Sequence, residues 1–416
     1  MSTPTTIAVR MYNVGFGDAF TVTVRHADQT WRMLVDCGVH SQGRVRPIRE
    51  SVQAIIADLT AAAADHHPHL DVIVATHHHA DHISGFACDE WAGVAVDEVW
   101  VPFVEDPDDA DARRIRGGQA DAADGLAALI GKLGNGLSAS VEQALDFAVN
   151  SQGNAAATDR LLGRNKKGFA SAHRVRYLPG KDKADNTIEV ERVGLVAHIL
   201  GPPRDERFLA RMNPPAKQTW PVVRAVASPE SAETCDKPAN LFNPRYFAQD
   251  GLPLELTQAK DQLKLEELLD HEDRLLRAAA ILENAVNNTS VFFVLDISGT
   301  RLLFPGDAQQ GAWDHVLADA HNAALLSDLA FYKVGHHGSH NATPREFVET
   351  DWKTKGYAMV PFGLVERWAR TIPKQSLLNA LRNHHHTVIR ADEPPRAVPG
   401  SVAVHGDLWT EVTLTA

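Results

Sequence analysis

At 416 residues the chain is long enough for one elaborated domain or two modest ones, with ample material for a core. Hydrophobic residues make up 44% and charged residues 23%, an ordinary globular balance, and no apolar run approaches the length of a membrane span. The formal net charge of −12 argues against a protein that coats nucleic acid, though a nuclease whose metals meet the phosphate remains compatible with it.

The N-terminus, MSTPTTIAVRMYNV, shows neither a basic nor an apolar signal region, so a soluble, cytoplasmic protein is expected. Cys37, Cys88 and Cys235 lie far apart and form no C-x-x-C pair, so any metal ligands should be nitrogen and oxygen. The 21 histidines are clustered.

Taken in chain order, Ile7–Val14, Phe20–His26 and Trp31–Asp36 read as a β-meander. Ile48, Val52, Ile55, Ile56 and Leu59 recur at helical spacing behind Pro47, predicting a helix over 48–63. A buried strand, Asp71–Thr76, then runs into a histidine cluster, and Glu98–Val101 is a further short strand. Residues 105–170 shift to Ala, Gly, Asp and Asn, the composition of a partly helical insertion. Strand character returns at Arg174–Leu178 and over Ile188–Leu200, read as one strand. A second insertion, 204–285, is Pro-rich to about residue 253 and helical from Thr257 to Leu282, with Leu263, Leu265, Leu268, Leu269, Leu275 and Leu276. It suits a lid or an interaction arm. Val291–Ile297, Arg301–Phe304, Leu329–Val334 and Tyr357–Val360 are strands with helices between them, and the chain ends in Val402–Leu414. Two β-rich halves with helices predict an α/β protein, an αββα sandwich with its site between the sheets.

The chemistry starts at His77-His78-His79-Ala80-Asp81-His82, which fits H-x-H-x-D-H without a gap. In extended backbone, residues i and i+2 share a side, so His77 and His79 face one metal while His78 points away. Asp81 and His82 turn toward a second ion. For a lone His a surface loop would be the better reading, but four ligands at this spacing directly after a buried strand are hard to obtain by chance. Imidazole and carboxylate without thiolate suit zinc, and manganese or iron accept the same atoms. Further on, Arg301-Leu-Leu-Phe-Pro-Gly-Asp307 runs a strand into a carboxylate placed to bridge two metals, or to cap the helix beginning near Ala308. Gly335-His336-His337-Gly338-Ser339 puts two imidazoles at the end of the strand Leu329–Val334. One of them is the direct ligand. Strand alternation favours His336, leaving His337 to contact substrate or the leaving group.

These segments together resemble the metallo-β-lactamase superfamily, in the branch that includes the C-terminal hydrolase domain of the competence DNA-uptake channel protein. That branch opens with D-V-G-Q-G-D-A, here Asn13-Val14-Gly15-Phe16-Gly17-Asp18-Ala19, and continues with a D-x-G turn, Asp36-Cys37-Gly38. H-x-H-x-D-H follows, then G-D at Gly306-Asp307 and K-x-x-H-H-G-S at Lys333–Ser339. The resemblance covers residues 13–339. It implies an αββα sandwich carrying two insertions and a hydrolase that uses a metal-bridging hydroxide, with two zinc ions roughly 3.5–4 Å apart. Phosphodiesterase or nuclease action on DNA, RNA or a nucleotide is the leading expectation.

The implied ligands are His77 and His79 for one ion, Asp81, His82 and His336 or His337 for the other, and Asp307 for both. Asp81, Asp307 and His337 are the expected catalytic residues, and Asp18 the residue that orients a ligand histidine. Three features depart from the pattern: Asn13 replaces the opening Asp, Phe16 replaces the Gln, and no His between the two main motifs is an obvious match for the one that completes the first metal. The segment Asn287-Asn288-Thr289-Ser290 takes that last place, with Asn288 as a weak extra ligand, so one ion is expected to be held more loosely. The channel's membrane segments have no counterpart here, so DNA import is not implied.

Lys333 reads as a solvated strand residue or a phosphate contact. His384-His385-His386 reads as a solvated loop, with a substrate contact as the alternative, His66, His67 and His69 as a helix-end cluster, and Asn165-Lys166-Lys167 as a charged surface turn. Two other functions fit the same chain: a small-molecule ester, lactone or phosphocholine-type hydrolase, and a module whose arm 257–282 binds a protein partner that activates the metal site.

Overall fold

The computed structural model describes residues 4–132, 154–164, 168–215, 218–220, 279, 281–282, 284–369, 371–395 and 400–416. The leucine-rich stretch 257–276, the segment Asn165-Lys166-Lys167 and Cys235 lie outside these residues.

Fifteen strands form two mixed sheets among the described residues. The first contains β1 (Thr6–Tyr12), β2 (Ala19–His26), β3 (Gln29–Cys37), β4 (His69–Val74), β5 (Ala95–Pro102) and β6 (Arg174–Leu178), with β14 (Val402–His405) and β15 (Trp409–Thr415) on the outer side of β1, in the order β14-β15-β1-β2-β3-β4-β5-β6. The second holds β7 (Thr187–Val190), β8 (Leu195–Gly201), β9 (Phe292–Ile297), β10 (Thr300–Phe304), β11 (Phe331–Lys333), β12 (Tyr357–Val360) and β13 (Thr387–Arg390), in the order β13-β12-β11-β10-β9-β8-β7. Each sheet changes from antiparallel to parallel part-way across, at β3 in the first and β10 in the second.

The central strands are buried on both faces, so they read as apolar runs whose alternate residues enter different cores. Met33, Val35, Val72 and Val74 meet Phe293, Leu295, Leu302 and Phe304 in a core shared by the two sheets. The intervening Leu34 and Ile73 pack with Val52, Ile55 and Leu59 on the opposite face of the first sheet, the last three from helix α1 (Ile48–Ala62). Each such side chain contributes roughly 1.5–3 kcal/mol by leaving water. On the second sheet Val294, Leu303 and Tyr332 pack outward against Trp313, Leu377 and Leu378.

The other helices are α2 (Ala80–Ile83), α3 (Ala110–Lys132), α4 (Ala155–Leu161), α5 (Glu206–Leu209), α6 (Gln310–Leu317), α7 (Ala320–Leu326) and α8 (Gln375–Asn383). Among the described residues no helix is long and apolar enough to cross a membrane.

Two boundaries differ from the sequence reading. Ile188–Leu200 is not one strand but a hairpin, β7 and β8, because Gly194 at φ 63° turns the chain back. The terminal stretch is likewise a hairpin, and it leaves the second half to pair with β1, Thr6 opposite Thr415. The sheets therefore do not divide into the two halves of the chain. The insertion 105–170 separates β5 from β6 on the first sheet, and 204–285 separates β8 from β9 on the second.

Candidate metal centre

The histidine and aspartate candidates lie just beyond the carboxyl ends of strands: β4 leads to His77–His82, β10 to Asp307 and β11 to His336 and His337. Parallel strands end together, and their terminal loops build a common crevice. The D-x-G turn at the end of β3 lies directly beneath. A Cβ at Gly38 would stand 2.5 Å from the His82 amide nitrogen, so only glycine lets the two loops approach this closely. Gly306, at φ 58°, is held in the same way against Ser290, where a Cβ would lie 2.7 Å from the Ser290 Cβ.

Asp81, His82, Asp307 and His337 are buried, and one potential ligand atom from each lies within 4.8 Å of all the others. His82 Nε2 is 3.2 Å from Asp307 Oδ2 and 3.8 Å from Asp81 Oδ2, and His337 Nε2 is 3.1 Å from Asp81 Oδ2. Beside this group His77 Nε2 and His79 Nδ1 converge to 3.0 Å. His78 faces the other way, toward Glu105 and Arg116, as the alternation predicted.

The imidazole that joins the carboxylates is His337, where the sequence reading favoured His336. Both residues have left-handed backbone, φ 46° and 53°, so the alternation of an extended strand end does not hold there. His337 Nδ1 is fixed by the Pro361 carbonyl at 2.6 Å, which leaves Nε2 for the cluster. His336 instead donates its backbone N–H to Asp307 Oδ1 at 3.0 Å, and its half-buried ring has a buried Nδ1 without a hydrogen-bond partner.

Charge balance in the cluster matches a cation site. Burial opposes ionisation of Asp307, yet the His82 imidazolium and the Lys333 ammonium outweigh it and hold the carboxyl well below its ordinary range. Asp81 is held down in the same way, by His82 and His337 against burial. Burial opposes protonation of His82 too, but Asp307, Asp18, Asp36 and Asp81 raise it well above a normal imidazole. Burial instead lowers His79 to about 3 and also depresses His77, so this pair is neutral, the form in which imidazole binds a metal. The nitrogen and oxygen donors, and the His82 Nε2 that makes no hydrogen bond, fit divalent metal.

Supporting residues hold these groups. Asp36 accepts from the Thr76 N–H and Oγ1–H, both at 2.7 Å, and its Oδ2 stands 2.8 Å from His82 Nδ1. Ser290 Oγ is 3.2 Å from His77 Nδ1 and accepts the Asp307 N–H at 3.0 Å, tying two motifs together. Asp36 and Ser290 lie inside the D-x-G and Asn-Asn-Thr-Ser segments, whose spacing alone does not show these contacts.

Asn288 is not a ligand. Its amide donates to the Leu209 and Arg211 carbonyls and accepts the Gln309 N–H at 2.9 Å, so both ends are committed to backbone. Asp18 lies 3.6 Å from both His82 Nδ1 and His337 Nδ1, beyond hydrogen-bond reach; those nitrogens meet Asp36 and the Pro361 carbonyl, and Asp18 pairs with Lys333. Lys333 is neither solvated nor free for phosphate: it is buried, paired with Asp18 and Asp307 and donating to the Gly306 carbonyl. His384 and His385 are exposed, but His386 is buried and stacked 3.6 Å from the Trp352 ring, a core residue. His66 and His67 are exposed at the end of α1, and His69 pairs with Asp97.

The chain is similar to part of ComE operon protein 3 of Bacillus subtilis (strain 168). The two are 27% identical over 146 residues, which is 35% of this chain and 17% of that protein. The likeness to ComE operon protein 3 is thus partial on both sides, and the chain spans under a fifth of its length. No family model matches the chain.

The burial of Lys333 leads to a prediction. Lys333→Met leaves Asp18 and Asp307 facing each other with one cation fewer. The metal-free protein should lose about 3–5 kcal/mol of stability, as when one partner of a buried pair is removed. Urea denaturation in chelator measures this, and a loss below 1 kcal/mol would show that the carboxylates do not depend on it.

Proposed function

We propose that this protein is a hydrolase that depends on two divalent metal ions, zinc or manganese, built on the αββα metallo-β-lactamase sandwich and acting on phosphodiesters in nucleic acid or nucleotides. The observation that carries the reading is the buried convergence of Asp81, His82, Asp307 and His337, with His77 and His79 paired beside it.

His77 and His79 would hold one ion, Asp81, His82 and His337 the other, and Asp307 would serve both. Two such ions, when bound, activate water and neutralise charge on the attacked centre. The protein's own groups do the positioning. Asp36 orients His82, Ser290 and Thr76 orient His77, and the Pro361 carbonyl orients His337. Half-buried His336, with its free Nδ1, contacts the substrate or its leaving group. The choice of a phosphodiester rests on the likeness of the motifs to the competence branch.

A second reading has an observation of its own. Where the branch carries Gln, Phe16 lies 4.1 Å from the His337 ring and 4.7 Å from Trp368, which in turn is 5.2 Å from His40. Such an aromatic wall also suits a compact ester or a phosphocholine-type substrate, whose quaternary ammonium binds ring faces.

Metal analysis of the purified protein should find close to two ions per chain, one tight and one easily lost. A panel of bis(p-nitrophenyl) phosphate, single-stranded DNA and RNA, a phosphocholine ester and a lactone, each with and without chelator, then separates the two readings. A folded, metal-free preparation that gains nothing from added zinc or manganese would sink both.

A further inference from the structure

The middle histidine of His77-His78-His79 takes no part in the proposed centre, yet it is buried, and both ends of the first insertion converge on it. Arg116, from α3, places Nη1 2.8 Å from His78 Nδ1 and 3.2 Å from Glu105 Oε1, while His78 Nδ1 and Glu105 Oε1 are 3.2 Å apart. His78 and Glu105 keep only 9% and 7% of their side-chain surface exposed, so the contact is well shielded from solvent.

At the far end of the insertion Asn154 occupies the N-cap position of α4. An asparagine there ordinarily caps its own helix. This one makes no side-chain cap bond and instead donates Nδ2–H to the His78 carbonyl at 2.8 Å. One arm of the insertion therefore holds the His78 side chain and the other its backbone.

We infer that the first insertion is a clasp on His78 that fixes the loop carrying His77 and His79, and so sets how tightly the ion at that pair is held. This rests on the two-metal reading above. The pair needs such support: the third histidine of the pattern is missing, and Asn288, standing near that place, is committed to backbone. With fewer direct ligands, affinity depends more on how well the remaining two are held apart and aimed. The other ion's ligands have holds of their own: Asp36 meets His82, the Pro361 carbonyl meets His337, and the His336 N–H meets Asp307. Arg116 and Asn154 are positioning residues.

The test uses the full chain and zinc, with competitive chelator titration to resolve two dissociation constants. Arg116→Met, Asn154→Ala and the double variant should weaken the looser ion about 10-fold or more, the usual scale for residues that orient a ligand, and leave the tighter ion unchanged. Arg116→Lys should recover part of the loss. An unchanged tight ion also shows that the variants fold, and Asn154→Ala, which removes no core side chain, remains testable should Arg116→Met misfold. Two unchanged constants overturn the clasp, and so does equal weakening of both ions, which would mean a general structural role. Wild-type protein that binds no zinc would refute the two-metal reading itself, a different result from two ions that ignore the clasp.

Discussion

Asp307→Ala is expected to abolish hydrolysis and to weaken both metal ions at least ~100-fold, beyond the 10–100-fold typical of residues that only orient a ligand. Asp307 Oδ2 is 3.2 Å from His82 Nε2, and its Oδ1 accepts the His336 N–H and meets Lys333. The substitution therefore removes more than a ligand. It strips one carboxylate from two buried cations, although His82 keeps Asp36 and Lys333 keeps Asp18. A stability loss of about 3 kcal/mol in chelator is expected, at the low end for breaking a buried pair. Asp307→Asn keeps the shape and should lose metal as well. Metal content, turnover and denaturation in chelator check the three parts separately, and full metal content in Asp307→Ala would exclude the shared position.

The second large effect separates adjacent residues. His337→Ala should empty the ion shared with Asp81 and His82, because His337 Nε2 is the nitrogen directed at Asp81 and Pro361 fixes the ring from behind. Its loss also opens a cavity against Phe16. His336→Ala should keep both ions. A group that acts on the substrate only in the transition state lowers turnover without emptying the site, so kcat should fall by roughly 10²–10⁴, the range for general acid–base groups. Side-by-side metal titration decides it. Loss of metal in His336→Ala with retention in His337→Ala would restore the assignment drawn from strand alternation.

The contrast at these two histidines shows what local pattern carries and what it does not. Central strands were legible because both of their faces are buried, which leaves apolar runs such as Val291–Ile297 with turn residues between them. H-x-H-x-D-H was legible because its ligand spacing is a property of one short loop, and His78 duly points away from the pair. Only tertiary structure could decide the rest. Whether His336 or His337 joins the cluster depends on two successive left-handed residues and on a carbonyl from Pro361, 24 residues away. Asn288 became a backbone anchor through carbonyls at 209 and 211, Lys333 a buried cation through Asp18, and His386 a core residue through Trp352. The crossing of Trp409–Thr415 onto β1 depended on an open strand edge some four hundred residues earlier. Periodicity and spacing record what a residue does to its neighbours in the chain. The partner that satisfies a buried nitrogen or carboxylate comes from a distant segment, and the low dielectric of the interior makes that partner decisive.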